Sequence, residues 1–230
     1  MTKVNHLAII MDGNSRWAKS RNLKTIDGHK QGAENAFNII KLAIERKISF
    51  LSLFAFSSEN WFRPKAEVLN FMNLLSHYTS NEVNKINELG VRIKFVGDLS
   101  KLSNDLQKSL RDAEDMSAGN KNLTLYILLS YGGRDEIIHA AKKAMESKME
   151  PKDLNEESFR RFMMSDMPDV DLLIRTGDKQ RISNFLLWQS AYAELYFSKK
   201  FWPDFDEAEF DNALEDYKSR KRSFGVRDEQ

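Results

Sequence analysis

The apolar run that ends at Met11 is followed by Asp12-Gly13-Asn14-Ser15-Arg16-Trp17. A Gly-Asn-Ser turn leading into a helix offers backbone N–H groups to an anion. Arg16 can add a charge-assisted, two-pronged contact to a phosphate. An aspartate beside such an anion makes physical sense when a divalent cation bridges the two. Mg2+ suits that role, because it takes one or two carboxylates together with substrate phosphate oxygens. Asp-Gly-Asn is also an ordinary turn sequence, so the tripeptide alone decides nothing, and the continuation into Ser15 and Arg16 carries the argument.

Other segments share this character: Ser57-Ser58-Glu59-Asn60-Trp61-Phe62-Arg63, Ser130-Tyr131-Gly132-Gly133-Arg134, and Arg175-Thr176-Gly177-Asp178 followed by Arg181-Ile182-Ser183. Each alone is ordinary loop chemistry; together they could face one crevice. His29 lies in Gly28-His29-Lys30-Gln31-Gly32, where an imidazole at a helix start could donate to a phosphate. His6, His77 and His139 are scattered, and a lone histidine is more often structural. Phe54, Phe56, Trp61, Phe62 and Phe71 flank the second segment and, taken singly, read as core. Anion-binding groups at a mouth with apolar residues behind them would suit an amphiphile: a diphosphate joined to a hydrocarbon. The chain has no G-x-x-x-x-G-K-[ST], no G-x-G-x-x-G and no H-E-x-x-H. A phosphatase with Asp12 as nucleophile would call for a second carboxylate two residues on, where Asn14 stands.

These polar segments follow short apolar runs that read as strands: His6–Met11, Phe50–Phe56, Leu123–Leu129 and Leu172–Ile174, with Val91–Val96 as a fifth. Between them lie amphipathic patterns over Gln31–Arg46, Ala66–Leu89, Leu102–Met116 and Asp135–Met149. Ser103 or Asn104 should cap the third, and Gly90 and Gly119 sit where helices should stop. The alternation predicts an α/β fold with a central, mostly parallel sheet flanked by helices, and ligands bound beyond the carboxyl ends of the strands. The stretch from about Pro151 reads as an elaboration of the same domain, so residues 1–230 are expected to form one domain. The basic run Lys218–Arg222 closes an acidic amphipathic helix; a solvated helix end accounts for it as well as a binding role does.

With 230 residues, 30% charged and 41% hydrophobic, the composition is that of a globular chain. A net charge of +1 argues against a general nucleic-acid binder. The absence of cysteine removes disulfides, thiolate nucleophiles and iron–sulfur clusters, and fits a reducing compartment. Leu7–Met11 is too short for a signal-peptide core or a membrane span, so any membrane contact should be peripheral.

The motifs, taken in order, resemble those of one family. They are H-L-A-I-I-M-D-G-N-S-R-W at His6–Trp17, G-H-K-Q-G at Gly28–Gly32, F-S-S-E-N-W at Phe56–Trp61 with Arg63, Y-G-G-R at Tyr131–Arg134, I-R-T-G at Ile174–Gly177, R-I-S-N-F-L-L-W-Q-S-A-Y-A-E-L-Y-F at Arg181–Phe197, and F-W-P-D-F at Phe201–Phe205. The chain resembles the cis-prenyltransferases of the undecaprenyl diphosphate synthase kind over nearly its whole length. The resemblance implies a homodimeric α/β enzyme with an apolar tunnel. Such an enzyme condenses isopentenyl diphosphate repeatedly onto an allylic diphosphate, usually farnesyl diphosphate, with Mg2+. The long cis product serves as a lipid carrier for cell-wall synthesis, and a cytoplasmic protein loosely associated with membrane is implied.

Carried over by position, Asp12 would engage Mg2+ and the leaving diphosphate. Gly13, Asn14, Ser15, Arg16 and His29 would hold the allylic diphosphate, with Trp17 nearby. Ser57, Ser58, Glu59, Trp61 and Arg63 would line the substrate mouth, and Arg175, Arg181, Ile182 and Ser183 would hold isopentenyl diphosphate. Glu194 would be a second metal-linked carboxylate, in its own site or the partner subunit's. Asn60 holds the family's proton-acceptor position, but a carboxamide is a very weak base, so orientation of the reacting carbon is the alternative. Departures from the family pattern are Thr25 (with Lys24 adjacent) where arginine is common, Lys179 where glutamate is frequent, and Ser130 where asparagine is common. An all-helical trans-prenyltransferase would need D-D-x-x-D, which is absent. A non-catalytic prenyltransferase-like partner subunit would have lost the loop aspartate and arginines, which are present here. Leu53 and Ala55 leave room for a long chain, whereas Phe54, Phe56 and Phe71 would shorten it if they faced the tunnel.

Overall fold

The computed structural model describes residues 3–221. Its strands are β1 (His6–Ile10), β2 (Phe50–Ser57), β3 (Val91–Val96), β4 (Leu123–Tyr131), β5 (Leu172–Arg175) and β6 (Glu194–Phe197). They form one sheet in the order β3-β4-β2-β1-β5-β6, and every neighbouring pair is parallel. Parallel neighbours need long crossovers. Helices α1 (Asn14–Ser20), α2 (Thr25–Glu45), α3 (Lys65–Asn81), α4 (Val83–Glu88), α5 (Asn104–Ser117), α6 (Gly133–Glu146), α7 (Glu156–Arg160) and α8 (Glu207–Ser219) lie along the connecting chain.

Both sheet faces are covered, which is why β1 is buried along its whole length. On one face Leu7, Ile9, Leu51 and Leu53 pack with Ile39 and Ile40 of α2 and with Phe210 and Tyr217 of α8. On the other, Ala8, Ile10, Tyr126 and Leu128 pack with Met167 and Phe185. A third cluster sets Leu106 and Leu110 of α5 against Ile93 and Phe95 of β3.

Several boundaries differ from the sequence expectation. The Ala66–Leu89 pattern is two helices, α3 and α4, separated at Glu82. The polar stretch Ser80-Asn81-Glu82 gives the junction two weak helix formers, Ser80 and Asn81, and no apolar anchor. Helix α2 starts at Thr25, not Gln31, so Gly28 lies inside it. A Cβ on Gly28 would sit 2.2 Å from the carbonyl oxygen of Asn14, so the missing side chain lets α1 lie directly on α2. Strand β6 was not expected: Glu-Leu-Tyr-Phe is short, half-buried and at an edge. Ser103, not Asn104, caps α5 by accepting from the Leu106 N–H. In the basic run, Lys218 pairs with Glu215 and Arg220 with Glu194 and Asp216, as an ion-paired helix end would; Arg222 lies outside the described residues.

The pairing of β2 with β4 contains two register shifts. Phe54 pairs with Leu128 and Phe56 with Leu129, so Ala55 is an extra residue; Ser57 then pairs with Tyr131, so Ser130 is the compensating extra residue on β4. Ser130 has φ 51°. The first bulge breaks the two-residue alternation. Phe54 stacks on Phe185 on one face at 4.5 Å, whereas Phe56 turns to the other face, against Phe71 at 5.0 Å and Trp61 at 5.1 Å.

Candidate active site

Strands β1, β2 and β5 end at one level, since Ile10 pairs with both Phe54 and Arg175. The loops that follow them open into a cavity of about 1160 Å3. Gly13 makes the first turn at φ 113°, and a Cβ there would meet the Phe201 ring at 2.8 Å, so both backbone and space demand glycine. The carbonyl of Asp12 accepts from Thr176 Oγ1 at 2.7 Å and from the Trp202 N–H at 3.0 Å. The backbone that aims the Asp12 carboxylate is therefore pinned from two elements.

The carboxylate sits between two arginines. Oδ1 is 3.1 Å from Arg16 Nη2 and Oδ2 is 2.8 Å from Arg175 Nη2. Arg175 is buried; its Nη1 also donates to the Arg181 carbonyl and to Ser183 Oγ, each at 2.6 Å. One guanidinium thus ties Asp12 to the loop carrying Arg181 and Ser183. Arg16 in turn lies over the Phe201 ring at 5.2 Å. Among the described residues, three buried polar atoms of cavity-lining residues find no hydrogen-bond partner: Arg175 Nε, Asn14 Oδ1 and His29 Nε2. Such groups are costly to leave alone, and all three belong to residues that line this cavity. His29 packs edge-on against Phe71 at 6.0 Å; burial, aided by the nearby Arg63 charge, holds its imidazole below the ordinary value, so it rests neutral.

The Ser57–Arg63 segment is a tight 3-10 turn over Ser58–Phe62. Asn60 Oδ1 accepts from the Ser57 N–H at 3.0 Å, so the oxygen of this carboxamide is engaged in holding the turn and its NH2 is the group left to face a ligand. Trp61 Nε1 donates to Ser130 Oγ at 2.9 Å, fastening the turn to the β4 bulge. Glu59 Oε1 accepts from Asn184 Nδ2 at 2.8 Å. Partial burial pushes the Glu59 carboxyl up, but hydrogen bonds from Asn184, its own backbone, Ser57 and Ser58 outweigh this and hold it below the ordinary range.

Most of the expected site residues line this cavity: Asp12, Gly13, Asn14, Ser15, Arg16 and His29 from the first two segments, Ser57, Glu59, Asn60 and Arg63 from the second strand's end, and Arg175, Arg181 and Ser183 from the fifth's. Others stand behind the lining. Trp17 donates to Asp204 at 2.7 Å and carries Arg21 over its ring. Ser58 bonds Glu59, and Ile182 packs into the apolar cluster around Phe185. Glu194 lies opposite Leu172 at the start of β6, away from the carboxyl ends, and pairs with Arg220 at 2.6 Å; within one chain it is not brought to Asp12. Thr25 opens α2 and Lys179 is exposed, and neither lines the cavity. Thr176, Asn184 and Trp202 were not singled out from sequence, although all three lie inside the motif strings quoted there.

Away from the mouth the cavity is apolar, with Phe37, Leu53, Ala55, Leu75, Ile93 and Ile127 along it. No residue of α3 is fully buried, because its inner face looks onto this space. Among the described residues no group of three or more His, Asp or Glu could hold a metal by itself. A divalent cation at the mouth would share Asp12 with ligand oxygens and water, which is the habit of Mg2+.

Residues 10–225 match the family model for undecaprenyl diphosphate synthase. The chain is 50% identical over 221 residues to an isoprenyl transferase of Aquifex aeolicus (strain VF5), covering 96% of this chain and 95% of that one. It is 48% identical over 225 residues to the ditrans,polycis-undecaprenyl-diphosphate synthase ((2E,6E)-farnesyl-diphosphate specific) of Legionella pneumophila (strain Paris), covering 96% and 94%. Among solved structures, the lavandulyl diphosphate synthase of Lavandula x intermedia, in complex with dimethylallyl diphosphate, superposes with a TM-score of 0.93 at 36% identity, covering 97% of this chain and 98% of that one.

Proposed function

The chain belongs to the undecaprenyl diphosphate synthase family and is a cis-prenyltransferase, and from that premise we propose that it extends farnesyl diphosphate by repeated cis-condensation with isopentenyl diphosphate. The product would be a long polyprenyl diphosphate, a lipid carrier for cell-wall synthesis. The observation that carries this reading is one geometry: a carboxylate held between Arg16 and Arg175 at the polar mouth of a long apolar cavity.

In each cycle the C–O bond of the allylic diphosphate breaks and negative charge develops on the leaving oxygen. Arg16, His29 and the N–H groups of Asn14 and Ser15 would meet that charge where it appears. Asp12 would hold Mg2+ with help from the substrate, and the bound ion would supply further neutralisation of the leaving charge. Arg181 and Ser183 would hold the diphosphate of the second substrate, and Arg175 would fix their loop relative to Asp12, so that the new carbon–carbon bond forms in line. The terminal methylene of isopentenyl diphosphate would form the new bond and leave a cation on the adjacent carbon; the carbon between that cation and the diphosphate-bearing carbon then loses a proton to a diphosphate oxygen, its C–H electrons becoming the new allylic double bond. The Asn60 NH2 would orient this end of the substrate, since a carboxamide is too weak a base to take the proton. The elongating hydrocarbon is received by Leu53, Ala55 and their apolar neighbours. A homodimer and peripheral membrane contact belong to the same reading, and Glu194 enters it only through a second copy. Among the described residues no helix is long and apolar enough to cross a membrane.

The test is product analysis of the purified chain with farnesyl diphosphate, excess isopentenyl diphosphate and Mg2+. Long products with new cis double bonds are expected from the chain alone. Activity only after a second polypeptide is added would instead favour a non-catalytic partner subunit, and trans bonds would overturn the reading.

A further inference from the structure

Asn184 belongs to none of the roles assigned above, yet it joins three parts of the site. Its carbonyl accepts from the Gly133 N–H at 2.7 Å and its Oδ1 from the Arg134 N–H at 2.9 Å, so both of its oxygens are committed to the start of α6. That helix is itself held by a buried group, Glu136, which accepts from Tyr131, Gln189 and the Met164 N–H. With Oδ1 fixed, the amide plane is fixed, and Nδ2 points to Glu59 Oε1 at 2.8 Å. Glu59 is otherwise exposed. Among the described residues, no other side-chain hydrogen bond joins the Ser57–Arg63 turn to the 175–190 segment. Immediately before Asn184, Ser183 Oγ accepts from the Arg175 guanidinium that also grips Asp12. The backbone at Ser183 and Asn184 is left-handed, with φ 48° and 63°; asparagine tolerates that conformation better than most residues.

We propose that Asn184 is a positioning residue: through Glu59 it sets the distance between the turn bearing Asn60 and the loop bearing Arg181 and Ser183. In terms of the proposed reaction, which this inference rests on, it aligns the second substrate with the end of the first. The bond is to a charged acceptor and is correspondingly strong and directional. Asn184→Asp keeps the left-handed backbone and both contacts to α6, and turns only the donor toward Glu59 into a carboxylate oxygen. A displacement of the turn by about 1 Å costs on the order of 10²-fold when reacting atoms are misplaced.

The experiment is a double-mutant cycle of Asn184→Asp and Glu59→Gln, with steady-state kinetics in both substrates. In the natural background Asn184→Asp should lower kcat/KM for isopentenyl diphosphate by about 10- to 100-fold and leave the KM of the allylic diphosphate unchanged. In the Glu59→Gln background the same change should be nearly silent, because the carboxamide introduced by that substitution can donate to the new carboxylate. Equal losses in both backgrounds would show that Asn184 merely supports the fold, and no loss in either would show that the tie is idle; both overturn the proposal. Should Asn184→Asp fail to fold, Glu59→Ala breaks the same bond from the exposed side and must give the same split between the two substrates. A wild-type chain without turnover would sink the proposed function itself, which is a separate result.

Discussion

Replacing Asp12 by alanine removes one carboxylate and strands two arginines. Arg175 is 5% exposed and Asp12 is 28% exposed, so the pair lies near the buried limit. Breaking a fully buried pair from one side costs about 3–5 kcal/mol. Water at the partly open Asp12 side, and the bonds Arg175 keeps to Arg181 and Ser183, reduce that to about 2 kcal/mol. In a chain of this length about 2 kcal/mol lowers Tm by about 4–8 °C. Turnover with Mg2+ should fall on the order of 10²-fold or more, because the metal-linked stabilisation of the leaving group is lost. The two readouts should part company when pyrophosphate is added with a chelator present. In the natural protein the anion must enter beside a carboxylate that already occupies both arginines. In Asp12→Ala neither arginine faces a carboxylate there, so metal-free pyrophosphate should raise Tm more in the variant than in the natural protein. Differential scanning fluorimetry and a radiolabelled-substrate assay suffice. A variant that keeps turnover within about threefold, or that gains no more from pyrophosphate than the natural chain, would refute the assignment of this triad.

Stability should fall in acid through His6. Burial holds its imidazole below the ordinary value, with Nδ1 donating to the Pro168 carbonyl and Nε2 accepting from Ser52 Oγ. A depressed folded value means the unfolded chain takes up the proton first, so stability is complete above about pH 6.5 and declines as pH drops below it. The urea midpoint should therefore fall between about pH 7.5 and 5.5, and His6→Gln should flatten that slope, with His29 supplying what remains; an unchanged slope would count against it. Gly28→Ala forces a Cβ to 2.2 Å from a backbone oxygen and should destabilise by more than about 2 kcal/mol in denaturant titration. Gly119→Ala, with nothing within 4 Å, should be neutral or mildly stabilising. Ala55→Leu fills the cavity wall at the β2 bulge, and mass spectrometry of the products should show shorter chains at little cost to the first condensation.

β1, β2, β4 and β5 were legible because a doubly covered parallel strand is apolar at nearly every position, a signal that needs no partner to read; β3, at the other edge, was legible from the alternation of Val91, Ile93 and Phe95 with Arg92 and Lys94. β6 was not, because an edge strand with Glu194 and Tyr196 in it carries no such run. The start of α2 was not legible: the apolar pattern begins at Gln31, the helix begins at Thr25, and only the contact with α1 explains Gly28 inside it. The polar segments of the site were legible as clusters, since each follows a strand. Which way each side chain points was not. Trp17 and Trp61 sit in the same motifs as Arg16 and Asn60, yet one faces Asp204 and the other Ser130. Phe56 illustrates the limit most plainly: strict alternation puts it with Phe54, and the extra residue at Ala55 puts it with Phe71. A bulge is set by pairing between distant strands, and no local pattern around Ala55 announces it.

The central place of β1 has a consequence for how the chain is made. The strand is synthesised first, and β2 follows soon enough to cover one edge. Its other neighbour, β5, begins at Leu172, and the N–H groups of Asn5 and His6 wait for the carboxylate of Asp171, 166 and 165 residues away. Until Leu172 and the residues after it have been made, then, a strand that ends wholly buried keeps one edge unpaired, and such edges recruit other chains. The topology that gathers the catalytic loops at one crevice thereby leaves completion of the sheet around β1 to a late segment of the chain. Yield of folded protein, before any property of the finished enzyme, is where changes to β1 and β5 will register.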